Sequence, residues 1–203
     1  MAHEITTADR LRSTFRKHNG MLRMSDALRQ GVNRAALYAM RDAGEIEPIG
    51  RGLYRLSNLP TLAHPDLVAV AAKIPSGVIC LVSALAYHDL TTQIPHEVQV
   101  ALVRGSAMPR MAHTPIRVFW FSGAAFHEGI ETIKLDGVPV RIYGPEKTLA
   151  DCFKYRNKLG MDLVLEALHL WREKRVRHTS ELLAHARTCR VEKVIRPYLE
   201  ALM

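Results

Sequence analysis

The stretch of this chain that leaves the fewest conformational choices is residues 47–56, "EPIGRGLYRL". Two short apolar runs face each other across Gly50-Arg51-Gly52, and glycines reach positive φ at little steric cost, so the chain reverses here as a hairpin. Arg51 sits at its tip and Arg55 on the return strand.

What precedes the hairpin gives it a context. "TTADRLRSTFRKHNG" (6–20) places Ala8, Leu11 and Phe15 at helical spacing, with Thr6 or Thr7 as N-cap and Gly20 as a stop. "SDALRQG" (25–31) reads as a helix of under two turns, with Ser25 as N-cap and Gly31 closing it. "VNRAALYAMRDAGE" (32–45) offers Asn33 as N-cap and an apolar face of Ala36, Leu37, Met40 and Ala43. Arg34, Tyr38 and Arg41 recur at i, i+4 and i+7 on the opposite face. Three helices, the last two parted by a tight glycine turn and followed at once by a hairpin, form the pattern of a helix-turn-helix with a wing. In such a module a wing arginine reaches phosphate or the minor groove.

"SNLPTLAHP" (57–65) holds two prolines and several turn residues, and is read as the boundary between domains 1–58 and 59–203. Beyond it, "PDLVAVAAKI" is an apolar-faced helix, "GVICLV" a short buried strand, and "SALAYHDL" a helical turn or two capped by Ser83. Alternation in "EVQVALV" (97–103) sends Val98, Val100 and Leu102 one way, and "IRVFWF" (116–121) and "VPVRIYG" (138–144) alternate likewise, implying a sheet of about four to six strands. From Pro145 onward the pattern is helical, with proline and then Glu146 in a first turn. The expected class is α+β: an N-terminal winged helix-turn-helix domain, then a mixed α/β domain with a small sheet and a helical C-terminal end.

Charge names the kind of partner. Of 203 residues 28 are Lys or Arg and 20 Asp or Glu, a net +8, which suits a polyanion. Residues 1–58 hold ten Lys/Arg against six Asp/Glu, so half of that excess lies in under a third of the chain. A second basic region, "REKRVRH" (172–178), is followed by Arg187, Arg190, Lys193 and Arg196, whose spacing puts them on one helix face. Cys80, Cys152 and Cys189 form no CxxC pair, so neither a disulfide framework nor a zinc ribbon is indicated. The first residues have no apolar core of a signal peptide, and the apolar run from Val78 to Tyr87 is about half of the roughly 20 residues a spanning helix needs. A cytoplasmic protein without membrane partner is expected.

Enzymatic constellations are not evident. His127 and Glu128 lack the second histidine of a zincin, and no GxSxG, GxxxxGK[ST] or GxGxxG motif follows a strand. "LVRGSAMPR" reads as a solvated loop. A metal-dependent nuclease would use Asp136 with Glu146 and Lys147, but adjacent residues opening a helix point about 100° apart. No catalytic residue, metal or cofactor is assigned.

Three segments carry a resemblance: "GMLRMSDALRQGVNRAALYAMRDAGEIEPIGRGLYRL", "ICLVSALAYHDLT" and "YGPEKTLADCFKYRNKLG". Together they resemble the AbiEi antitoxins of type IV toxin–antitoxin systems, linked to abortive phage infection. The resemblance implies a winged-helix domain that represses its own operon by binding inverted repeats in promoter DNA. It also implies an antitoxin domain that counteracts a nucleotidyltransferase-like toxin without a stable complex; self-association on DNA is left open. The candidate DNA-binding residues are Arg23, Ser25, Asn33, Arg34, Tyr38, Arg41, Arg51 and Arg55, and the candidate antitoxin surface is Lys147, Lys154, Tyr155 and Arg156. Leu149, Cys152 and Phe153 are assigned to the core, and packing of the whole motif on the sheet stands as an equal alternative. Competing readings are a solitary regulator, a protein-binding winged-helix adaptor and, more distantly, the nuclease.

Overall fold

The computed structural model describes residues 7–18, 20–50, 52–59, 62–111 and 114–202. Thr6, Arg51, Pro60 and Thr61, which figure in the sequence reading, lie outside the described residues. The fold is mixed α+β, with helices and a small sheet first, then a larger sheet and C-terminal helices.

The N-terminal unit begins with α1 (Thr7–Lys17), whose Leu11 and Phe15 are fully buried as the spacing requires. Gly20, at φ +78°, donates its N–H to the Phe15 carbonyl and turns the chain out of the helix. β1 (Met21–Arg23), α2 (Met24–Arg29), α3 (Arg34–Asp42), β2 (Ile46–Gly50) and β3 (Leu53–Leu56) follow. β1 was not anticipated, because three residues are too few to display alternation. It pairs antiparallel with β3, Leu22 opposite Tyr54, so that β3 becomes the middle strand of an order β1-β3-β2. Leu11, Phe15, Leu22, Leu37, Met40, Ile46 and Tyr54 close one core between the three helices and this sheet.

The larger unit comprises α4 (Pro65–Lys73), β4 (Val78–Ile79), α5 (Leu81–Tyr87), β5 (Val98–Val103), β6 (Ile116–Phe121), α6 (Ala124–His127), β7 (Ile130–Leu135), β8 (Val138–Tyr143), α7 (Pro145–Lys154), α8 (Arg156–Leu159), α9 (Met161–Glu173), α10 (Thr179–Thr188) and α11 (Glu192–Leu202). Its sheet runs β6-β5-β4-β8-β7, with parallel pairs β5–β6 and β4–β8. Val98, Val100 and Leu102 share a core with Leu67, Val70 and Ile74 around α4, as their alternation foretold. Phe119, Phe121 and Tyr143 join the other core, with residues of α5, α7, α9, α10 and α11. Ser83 does not cap α5: it is buried in the helix, and its hydroxyl accepts from Gln99 N–H at 2.9 Å and ties α5 to β5. A small apolar cluster of Met21, Leu62 and Val68, with Ile49, Leu135 and Val138 against it, joins the two units. Among the described residues no helix is long and apolar enough to cross a membrane.

Candidate nucleic-acid interface and the buried polar motif

Both ends of α3 are set by local chemistry. The Asn33 side-chain oxygen accepts the Ala36 N–H at 2.8 Å, satisfying an amide that the first turn leaves open. At the other end Gly44 lies at φ +71°; its N–H goes to Arg41 O and the Glu45 N–H to Met40 O, a Schellman closure that needs a left-handed residue where glycine stands. Leu37 and Met40 anchor the inner face. With 3.6 residues per turn, the line farthest from the core runs through Tyr38, Asp42 and Ala35, all exposed. Arg34 and Arg41 flank it on one side and Ala39 on the other.

These side chains are not equally free. Arg41 Nε and Nη2 both donate to Asp42 Oδ1, at 2.9 and 2.7 Å, and its guanidinium lies 4.8 Å from the Tyr38 ring centroid. Arg34 is exposed and makes no hydrogen bond or ion pair among the described residues. Asn33 uses its oxygen as the cap. Arg23 is half-buried at the N-cap position of α2 and Ser25 is exposed in the first turn, its hydroxyl 3.4 Å from Asp26 Oδ1. The helix therefore starts one residue before the expected cap, because the Met24 N–H is taken by Gly52 O across the sheet at 2.8 Å.

Arg55 requires a correction. It is 4 % exposed, pairs with Glu47 at 3.1 Å and donates to Leu59 O at 2.7 Å, so it holds the hairpin to the chain that leaves it and is not presented to a duplex. Its strand is central in the small sheet, with a neighbour on each side. Nor do the later basic residues share one helix face. Arg187 is in α10, Arg190 turns the chain at φ +61°, and Arg196 in α11 pairs with Glu192 at 2.6 Å, where Arg187 also points.

The 145–156 segment is corrected more deeply. Lys147 is 1 % exposed. It lies one turn before Asp151 on the same face of α7 and is ion-paired with it inside the core. The ammonium also stands 4.1 Å from the Tyr143 ring centroid and 5.1 Å from that of Phe121. The other oxygen of Asp151 accepts from Cys189 Sγ at 3.1 Å. Burial raises the Asp151 carboxyl above its ordinary range, with Lys147 and Cys189 opposing the shift. Burial likewise pushes the Cys189 thiol up to about 12, so it is a weak donor and not a thiolate. Glu146 accepts from Trp171 Nε1 at 3.1 Å and from the His178 N–H at 3.0 Å, tying α7 to α9 and to the start of α10. Thr148 Oγ1 donates to Tyr143 O at 3.1 Å.

Of the proposed antitoxin surface, Tyr155 is half-buried, stacks on Phe121 at 5.7 Å, and has its hydroxyl pKa pushed up to about 12 by burial. Arg156 is half-buried and donates to Phe153 O at 2.9 Å. Lys154 alone of the four is exposed. The packing alternative accounts for Lys147, and the signal that foretells it is the i,i+4 spacing of Lys147 and Asp151. Sequence reasoning also overlooked Ala35, Ala39 and Asp42, which a helical projection of α3 places outward.

The α1–β3 unit, not the buried motif of α7, is where a family model matches. Residues 9–57 match the family model of the AbiEi antitoxin transcriptional regulators. The match runs from α1 through β3, and it bears out the AbiEi resemblance over that span and supports a DNA-binding regulator role. No curated protein matches the chain. Among solved structures, the crystal structure of the RV2827C protein from Mycobacterium tuberculosis superposes with a TM-score of 0.52, covering 92% of this chain and 78% of that one at 12% identity. At that identity the likeness is one of fold. The AbiEi match ends before α4, so the polar motif of α7 lies outside it.

Proposed function

We propose that the protein is a sequence-specific transcriptional repressor in which residues 1–58 form a winged helix-turn-helix domain and residues 59–203 an α/β antitoxin domain. α2 and α3 are the helix-turn-helix, α3 enters the major groove, and the β2–β3 hairpin is the wing, with Arg51 directed to backbone or minor groove. The observation that carries the proposal is the AbiEi regulator match at 9–57, coextensive with the α1–β3 unit. Arg34, exposed on a firmly capped α3 and making no hydrogen bond or ion pair among the described residues, adds to it.

On this reading the protein occludes a promoter containing inverted repeats, regulates its own operon in the cytoplasm, and serves as the antitoxin to a nucleotidyltransferase-like toxin with which it forms no stable complex. The deciding experiment is a gel-shift titration of the protein against its own upstream DNA and a scrambled fragment across a range of salt. Upstream DNA is preferred, and Arg34→Ala costs about 1–3 kcal/mol of that preference at particular bases. Equal binding of both fragments by the wild type sinks the repressor assignment. Growth rescue against a neighbouring nucleotidyltransferase-like gene tests the antitoxin half.

A further inference from the structure

We infer that the larger unit binds an organic anion with a hydrocarbon body, a carboxylate of the size of octanoate, in the cavity between α9, α10 and α11. The site lies outside the AbiEi match and does not depend on α3. The cavity has a volume of about 330 Å³, and its walls divide into two chemistries. Leu168, Trp171 and Leu199, all buried, and the half-buried Leu183 form an apolar floor. Arg172 from α9, Arg177 from the α9–α10 connection and Arg196 from α11, all exposed, stand at the mouth. Thr179 adds an exposed hydroxyl beside them.

The guanidiniums are held in place without being spent. Arg177 Nη1 donates to Arg172 O and Lys174 O, at 3.0 and 3.2 Å, which leaves its Nε and Nη2. Arg196 gives Nη2 to Glu192 at 2.6 Å and keeps Nε and Nη1. The Arg172 side chain makes no hydrogen bond or ion pair among the described residues. Their N–H forks match the two oxygens of a carboxylate. Glu200 lines the same mouth, and with Glu192 on Arg196 it sets two anions against three cations, so the mouth stays positive. The floor decides what the anion is attached to. Trp171 Nε1 donates to Glu146 Oε1 at 3.1 Å, so its indole offers the cavity carbon only, and the leucine side chains hold no polar atom. A nucleobase seated there would give up its water partners and gain none. A hydrocarbon gains about fourfold in affinity per buried methylene. At about 30 Å³ for a group the size of a water molecule, the cavity holds about eleven such groups, and octanoate has about ten.

The test is isothermal titration calorimetry of the full chain with octanoate. One octanoate binds per chain, and hexanoate, two methylenes shorter, binds roughly fifteenfold more weakly. Octan-1-ol, which keeps the body and lacks the charge, binds roughly tenfold more weakly than octanoate or worse. The double variant Arg172→Gln/Arg196→Gln, substituted at exposed helix positions and checked for folding by circular dichroism, loses roughly tenfold in octanoate affinity and none for octan-1-ol. Equal affinity for octanoate and octan-1-ol, or a double variant that binds octanoate as the wild type does, overturns the inference and leaves only apolar adsorption. Adenosine monophosphate binding as tightly as octanoate overturns the hydrocarbon body. No saturable heat with octanoate overturns the site itself.

Discussion

Replacing Lys147 by methionine removes the ammonium from the core while keeping most of its volume. Asp151, fully buried, is then left with the Cys189 thiol as its hydrogen-bond donor. Removing one partner of a buried ion pair costs about 3–5 kcal/mol, because the uncompensated charge is what destabilises the fold. The Asp151 carboxyl, already raised by burial with Lys147 opposing, rises further without that opposition. Its folded pKa then stands well above the unfolded one, so the folded state takes up a proton that the unfolded state releases. Between those two values stability falls as pH rises, by about 1.4 kcal/mol per unit. The cost of Lys147→Met is therefore smaller at pH 5 than at pH 7.5. Lys147→Met/Asp151→Leu removes both charges and recovers most of the loss at either pH. Urea denaturation followed by the emission of the buried Trp171 measures all three proteins. A single-variant cost below about 1 kcal/mol at pH 7.5, or a double variant no more stable than the single, refutes the claim that the pair is a compensated buried charge.

Arg55→Ala is expected to lower stability by about 1–3 kcal/mol through the unmet Leu59 carbonyl and the lost Glu47 pair. At a temperature where both proteins are folded its DNA affinity stays near wild type, and a specific affinity loss in a fully folded variant contradicts this placement. Asn33→Ala removes the α3 cap and costs about 1 kcal/mol in urea denaturation; an unchanged midpoint would show that the cap contributes nothing. Gly129→Ala is strongly destabilising, since its φ is +67° and an added Cβ stands 2.6 Å from Lys147 Cβ; a melting temperature equal to wild type would exclude that crowding.

Much of the N-terminal unit was legible in the sequence because its signals are local. Leu11 with Phe15, and Leu37 with Met40, recur at helical spacing; Asn33 and Gly44 punctuate α3 through their own backbone chemistry; Gly52 at φ +71° closes a hairpin of adjacent strands. The alternation of Val98, Val100 and Leu102 foretold one face of the larger sheet for the same reason. β1 was not legible, and that omission explains the misreading of Arg55. With two strands, β3 is an edge and its arginine has solvent beside it; with β1 added it is the middle strand and the arginine is enclosed.

The sequence by itself determined where the chain turns, which stretches are helical, and that its basic excess is concentrated at the N-terminal end. Those properties follow from backbone preference and from composition, which neighbouring residues set between them. Only the tertiary structure decided which charges face water. Lys147 looks like a surface lysine in the first turn of a helix, yet α7 is packed among α5, α9, α10 and α11, and Asp151, Tyr143 and Phe121 converge on its ammonium. Burial of a charge depends on partners that arrive from distant parts of the chain, such as Cys189 beside Asp151, and no local pattern encodes their arrival.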